Sequence, residues 1–316
     1  MQVHLIEQSS NLSQFDALSA NGNNQTVPAR MRCSYFHESL GTAVLAAALV
    51  ILMCSVALGQ TPSPLQEWQY PGGIILQKEF EPQIPEWRIV LGAAGAVRPI
   101  YDGALPYRVQ PGPVIDIRYR DIAFASVGEG LGVNVLRGEN YRAGIALGYD
   151  LGRPVSLYPS HLSGLDNISA APVVKLFGAY VISESFPLVL RADLRRVIDG
   201  ANGWVGDLEA YMPLPGSSKQ FVMFAGPSLS FGDGEYMENV FGVTPVQALA
   251  SGYPRFNAQG GWKGAGFGFS ATWFITNHWL FSGDTAVSRL LGSAATSPIT
   301  QRKTQGILAL AVAYMF

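Results

Sequence analysis

The sequence predicts an all-β protein, a transmembrane antiparallel β-barrel of about 12 strands with short periplasmic turns and longer extracellular loops. Three observations predict it. Stretches of about nine to eleven residues, the length of a tilted bilayer crossing, alternate between apolar side chains and small or charged ones. The joints between them are alternately short and long. The final residues, GILALAVAYMF, alternate large and small apolar side chains and stop on an aromatic ring.

The alternation can be followed along the chain. Residues 87–98 supply the first strand. In Pro113 to Arg120, Ile115, Ile117 and Tyr119 oppose Asp116, Arg118 and Arg120. In Asn140 to Asp150, Tyr141, Ala143, Ile145, Leu147 and Tyr149 oppose Arg142, Gly144, Ala146, Gly148 and Asp150. Leu188, Leu190, Ala192 and Leu194 back onto Val189, Arg191, Asp193 and Arg195. Gly206, Leu208, Ala210 and Met212 back onto Asp207 and Glu209. Phe267, Phe269, Ala271, Trp273 and Ile275 alternate with Gly268, Ser270 and Thr272. Trp279, Phe281, Gly283, Thr285 and Val287 alternate with Ser282, Asp284 and Ser288. Successive side chains of a strand point to opposite faces, so each segment has one apolar face.

Short joints fall at Ser183–Ser185, Pro213–Ser218 and Thr276–Asn277, and long ones at Leu151–Ala170, Gly232–Gly261 and Leu291–Lys303. Parity then counts the strands. With both termini periplasmic, the long joint after Asp150 makes strand 140–150 run outward. Residues 121–137 must then hold a further hairpin, IAFASVG then GLGVNVL with Glu129 between, and the total is twelve. Thr244-Pro245 through Gly252 adds a short helix on an outer loop, with a capping Thr, Pro at the first helical position and Gly at the stop.

A soluble barrel also has one apolar face per strand, turned inward. Lipid outside is favoured by an export signal, by the C-terminal strand and by aromatics at strand ends: Trp87, Tyr119, Tyr141, Tyr149, Trp204, Tyr211, Trp273 and Trp279. Phe316, Tyr314 and Val312 share one face of the last strand, and a terminal aromatic there resembles the signal read by the outer-membrane barrel assembly machinery. The partner of that strand is expected to be the first, since closure abolishes both edges.

Composition agrees. The 316 residues are 48% hydrophobic and only 14% charged, with 35 Gly and 13 Tyr, as in Gly- and aromatic-rich β architectures. Mean hydropathy is +0.18. The net charge of −2 and the absence of a basic stripe point away from a nucleic-acid partner. Cys33 and Cys54 both precede Gly59, so no disulfide or thiolate-metal site is available afterwards. Residues 31–59 read as a signal peptide, with Arg32, an apolar core at Thr42–Met53 and the small-x-small stop Ala57-Leu58-Gly59. Residues 1–30 are polar and aperiodic, an over-called start or a disordered segment. Residues 60–85 read as a Pro-rich periplasmic leader and 86–316 as the barrel.

The polar faces supply the candidate functional residues. Asp116, Arg118, Arg120, Arg191, Asp193, Arg195, Asp207 and Glu209, with Arg142 and Lys175 beside them, are expected to line the lumen as a salt-bridge network. The same residues facing lipid would cost about 2–4 kcal/mol for each Arg or Lys near the midplane. An open-pore lining is the alternative. Ser160-His161-Leu162-Ser163 with Asp166 puts acid, base and hydroxyl in one outer loop, but such a set is recognised by geometry, not by nearness in sequence. His278 falls in a tight turn. No catalytic residue, cofactor or metal cluster is expected.

The segments AAPVVKLFGAYVISESFPLVLRADLRR, GGWVGDLEAYMPLPGSS, FVMFAGPSLSF and DTAVSRLLGSAATSPITQRKTQG resemble the MipA/OmpV family of Gram-negative outer-membrane proteins. The likeness runs from about Glu86 to Phe316. It implies a barrel surrounded by outer-membrane lipid. It also implies a scaffold role, since the family's namesake bridges a lytic murein transglycosylase and a bifunctional penicillin-binding protein. The alternatives are a small-solute channel and a surface lipid hydrolase.

Overall fold

The computed structural model describes residues 85–120, 122–138, 140–182 and 187–316. The expected signal peptide, the expected leader up to residue 84 and the joint at 183–185 lie outside the described residues. Twelve antiparallel strands close into one barrel. They are β1 (Trp87–Pro99), β2 (Tyr107–Tyr119), β3 (Ala123–Ser126), β4 (Gly130–Arg137), β5 (Tyr141–Asp150) and β6 (Ala171–Val181), then β7 (Val189–Val197), β8 (Gly203–Pro213), β9 (Phe221–Gly232), β10 (Gly261–Phe274), β11 (Trp279–Leu290) and β12 (Thr304–Met315). The long loops carry α1 (Pro159–Leu162), α2 (Gly234–Phe241), α3 (Pro245–Ser251) and α4 (Gly292–Thr296). Among the described residues no helix is long and apolar enough to cross a membrane.

Each strand pairs with its sequence neighbour, and β1 pairs with β12 from Val90–Met315 to Val97–Leu308. The Phe316 N–H adds a bond to the Ile89 carbonyl at 2.9 Å. Small residues crowd this seam. A Cβ on Gly92 would lie 2.1 Å from the Val312 carbonyl oxygen, so only glycine lets the strands approach there. The outer wall is apolar. Leu308, Leu310, Val312 and Phe316 are exposed on β12 and after it, while Ala309, Ala311 and Ala313 are buried on its other face.

Aromatic side chains ring both ends of the wall. Trp87, Tyr141, Tyr180, Trp273 and Trp279 are exposed at the short-turn end, and Tyr107, Tyr149, Trp204 and Trp262 at the long-loop end. Tyr211 is a correction to the expected ring. It is 6% exposed and packs inside with Val181, Val189 and Phe224. It shares parity with Asp207 and Glu209, and the alternation carries it to their face.

The lumen is occupied at both ends. Towards the short turns, Val90, Phe274, Leu280 and Ala313 form one apolar cluster, and the Tyr211 group another. At the long-loop end α2 lies across the mouth, with Tyr236, Met237, Val240 and Phe241 buried among Ile168, Val173, Val197, Val205 and Leu290. One part of the wall is low. β3 has four residues, and its ladder with β2 covers only Asp116–Ser126 to Tyr119–Ala123.

Candidate functional site: a buried charge network beneath a loop cap

The network sits on the inward faces of β2, β6, β7 and β8. Arg118 Nε donates to Asp116 Oδ1 at 2.8 Å, its Nη2 reaches Glu129, and its guanidinium stacks on the Phe124 ring at 5.4 Å. Arg191 Nη2 lies 3.5 Å from the other Glu129 oxygen. Arg195 Nη2 donates to Asp207 Oδ2, and Ser230 Oγ to Asp207 Oδ1 at 2.6 Å. Asp193 Oδ1 lies 3.2 Å from Arg195 Nε. Register places Glu209 opposite Arg191, and Lys175 opposite Arg195. Asp116, Arg118, Lys175, Asp193, Arg195, Asp207 and Glu209 are all buried. So much charge is tolerable inside a barrel only because acids and bases are interleaved there, as in the sets Asp116–Arg118–Glu129 and Asp193–Arg195–Asp207.

The eighth expected member does not join. Arg120 lies beyond the end of β2 with φ 44°, where the left-handed turn ends the alternation. Its Nη2 meets Glu86 at 2.5 Å on the outside, with side chains 55% and 58% exposed. The sequence reading missed Glu129 as the centre of the network. Glu129 sits at the β3–β4 turn, a position normally wet, but the hairpin is so short that its tip stays beside the lumen. Four-residue β3 was the available signal.

The cap is built from four loops. Asp233 caps α2 by accepting from the Tyr236 N–H at 2.8 Å. Arg153 Nη1 donates to the Val240 carbonyl at 2.7 Å, and Ser297 Oγ to the Phe241 carbonyl at 2.6 Å. Lys263 Nζ reaches Asp102 at 3.3 Å. Burial raises the Tyr236 hydroxyl to about 12 and lowers Arg153 to about 10. Both shifts follow from the cost of charge in a dry site.

His161 is one of the pins of this cap. Its Nδ1 lies 2.7 Å from Tyr253 Oη, and its Nε2 lies 3.0 Å from the Ile299 carbonyl, so the proton is on Nε2. The ring stacks on Tyr158 and Tyr101 at 5.6 and 6.4 Å. Asp166 holds Gln247 at 2.8 Å, and Ser163 is exposed. The loop therefore does not gather His161, Ser163 and Asp166 into a relay. His278 stands at the opposite end, its Nδ1 2.9 Å from the Met315 carbonyl and its ring stacked on Tyr314 at 5.4 Å. Tyr314 also meets Trp279 and Phe316 edge-on at 5.2 and 4.8 Å.

Comparison with known proteins gives a family. The family model described as MltA-interacting protein MipA matches residues 91–316. No curated protein matches. Among solved structures, the CymD monoaromatic hydrocarbon channel is 10% identical with a TM-score of 0.39, over 83% of this chain and 95% of that one. The toluene transporter TodX of Pseudomonas putida is 10% identical with a TM-score of 0.36, over 82% and 96%. OprD of Pseudomonas aeruginosa is 13% identical with a TM-score of 0.33, over 72% and 65%.

Proposed function

Since the chain belongs to the MipA family and is an outer-membrane barrel, we propose that it acts without catalysis, as a scaffold of the cell envelope that links a murein hydrolase to a murein synthase. The observation that carries this reading is the filled lumen. Apolar clusters occupy it towards the short turns, Glu129 at the β3–β4 turn pairs inside it with both Arg118 of β2 and Arg191 of β7, and α2 lies over the mouth. A wall tied together in this way is suited to presenting a fixed surface. The family's description, a protein that interacts with MltA, supports a murein enzyme as the partner.

Crosslinking whole envelopes and capturing this protein tests the proposal. A lytic transglycosylase or a penicillin-binding protein should be enriched over a barrel of similar abundance, and enrichment of neither ends the scaffold reading. Planar-bilayer recording separates it from a small-solute channel, because the filled lumen should give no steady conductance.

A further inference from the structure

We infer that the low part of the wall is a lateral window that holds one anionic lipid of the outer leaflet, a reading independent of the scaffold role. The β2–β3 ladder stops at Asp116, and the β4–β5 ladder stops at Leu131–Leu147. Above those points, among the described residues, no strand lies between residues 107–114 of β2 and 148–150 of β5. The sill is the β3–β4 turn. The lintel is a contact between two loops, Ile100, Tyr101 and Ala104 packing on Leu162 and Leu165. Tyr107 and Tyr149, at the tops of the two jambs, belong to the outer aromatic ring. The window therefore opens at the depth of the outer leaflet.

The β2 jamb selects what can enter. The Ile115 carbonyl accepts from the Val127 N–H at 3.1 Å, so the odd-numbered residues of β2 turn their backbone groups towards the window. Two of the next positions on that edge are Pro113 and Pro111, which have no N–H. A partner strand needs donors as well as acceptors, so this edge is a poor template for one. The carbonyls left along it suit hydroxyl or water donors, which open backbone at membrane depth requires.

Charge and apolarity are divided across the same jamb. Inward, Arg98 and Arg108 are cross-strand partners. Arg98 is buried, and Arg108 Nε is buried with no hydrogen-bond acceptor among the described residues, its Nη2 reaching Gln110 at 3.1 Å. A phosphate beside Arg108 supplies the acceptor that its Nε lacks. Outward, Val109 is 73% exposed, with Tyr149 exposed across the gap. A lipid would thus place its phosphate on Arg108, its head-group hydroxyls on the carbonyl edge and its tails along the apolar margin.

Native mass spectrometry on protein purified from outer membranes tests this. The probes are dipalmitoyl phosphatidylglycerol, phosphatidylcholine with the same chains, and glycerol phosphate, which has the head without tails. One phosphatidylglycerol should bind about tenfold tighter than phosphatidylcholine, and Arg108→Gln should remove that preference while Arg108→Lys keeps most of it. Only variants retaining heat-modifiable migration, the sign of an intact barrel, are compared. Equal binding of the two lipids, an unchanged preference in Arg108→Gln, or full displacement by glycerol phosphate would each overturn the proposal. So would a polypeptide strand, in place of lipid, captured by a photo-crosslinker at Val109.

Discussion

Arg195 is among the largest side chains that this barrel closes off from solvent, and it holds two carboxylates at once. Removing one partner of a buried pair leaves the others charged and dry, at a cost of about 3–5 kcal/mol. Arg195→Leu should therefore lower the urea unfolding midpoint of the refolded barrel sharply, and adding Asp193→Leu and Asp207→Leu should restore much of it. An undiminished midpoint in the single variant would show that these carboxylates are solvated. Tyr236 makes a prediction about pH. Its folded value of about 12 lies above that of a free tyrosine, so its stabilising contribution is whole below pH 10 and lost as pH rises towards 12. Absorbance of tyrosinate at high pH should show a late component that shrinks in Tyr236→Phe. Most of the network was legible in the sequence, because inward parity is a strict rule for Arg191, Asp193, Arg195, Asp207 and Glu209. Arg120 and Glu129 were misjudged for one reason. Parity says which face a residue takes only while the strand lasts, and strand ends are set by backbone turns that side-chain pattern does not record.

The loop helices show a similar division. α3 was readable because its boundaries are local chemistry. Thr244 and Gln247 form a reciprocal capping box, Pro245 follows, and Gly252 stops the helix at φ 78°. Thr244→Ala should cost the helix about 1 kcal/mol, seen as faster proteolytic cleavage near Leu249 with the barrel transition unmoved. A shift of the whole transition would mean that α3 is coupled to the wall more closely than its exposed side chains suggest. α2 escaped the sequence reading, although Asp233 is a good cap and Tyr236, Met237, Val240 and Phe241 repeat at helical spacing. Such spacing in a loop is ambiguous until something apolar is available to bury it, and here that surface is supplied by five separate strands and loops. Phe241→Ala should cost about 3–5 kcal/mol and loosen the cap, raising hydrogen exchange in α2 above that in the strands.

For the whole molecule, the number of strands followed from counting joints, because every crossing reverses direction. The barrel's closure followed from the last strand needing a partner. The span 121–137 left little length for two strands and so implied a short hairpin, but the window did not follow, since a strand pattern does not show which part of a neighbouring strand is left uncovered. Phe316→Asp should reduce insertion, measured as loss of the heat-modifiable form in outer membranes. Full insertion of that variant would remove the terminal ring, packed on Tyr314, from any role in assembly.

The crowded contact of Gly92 with Val312 bears on how the barrel comes to be made. Register partners there are separated by about 220 residues, and bringing such distant ends together costs about 5 kcal/mol of chain entropy before any contact forms. Half of the residues that meet are glycine or alanine, which offer few side-chain contacts to offset that cost early. The seam is thus a poor nucleus and a natural last step, reached after the sequence-local hairpins have formed. Whatever holds both ends in place during insertion acts as a kinetic catalyst, shortening a search without adding anything to the finished wall.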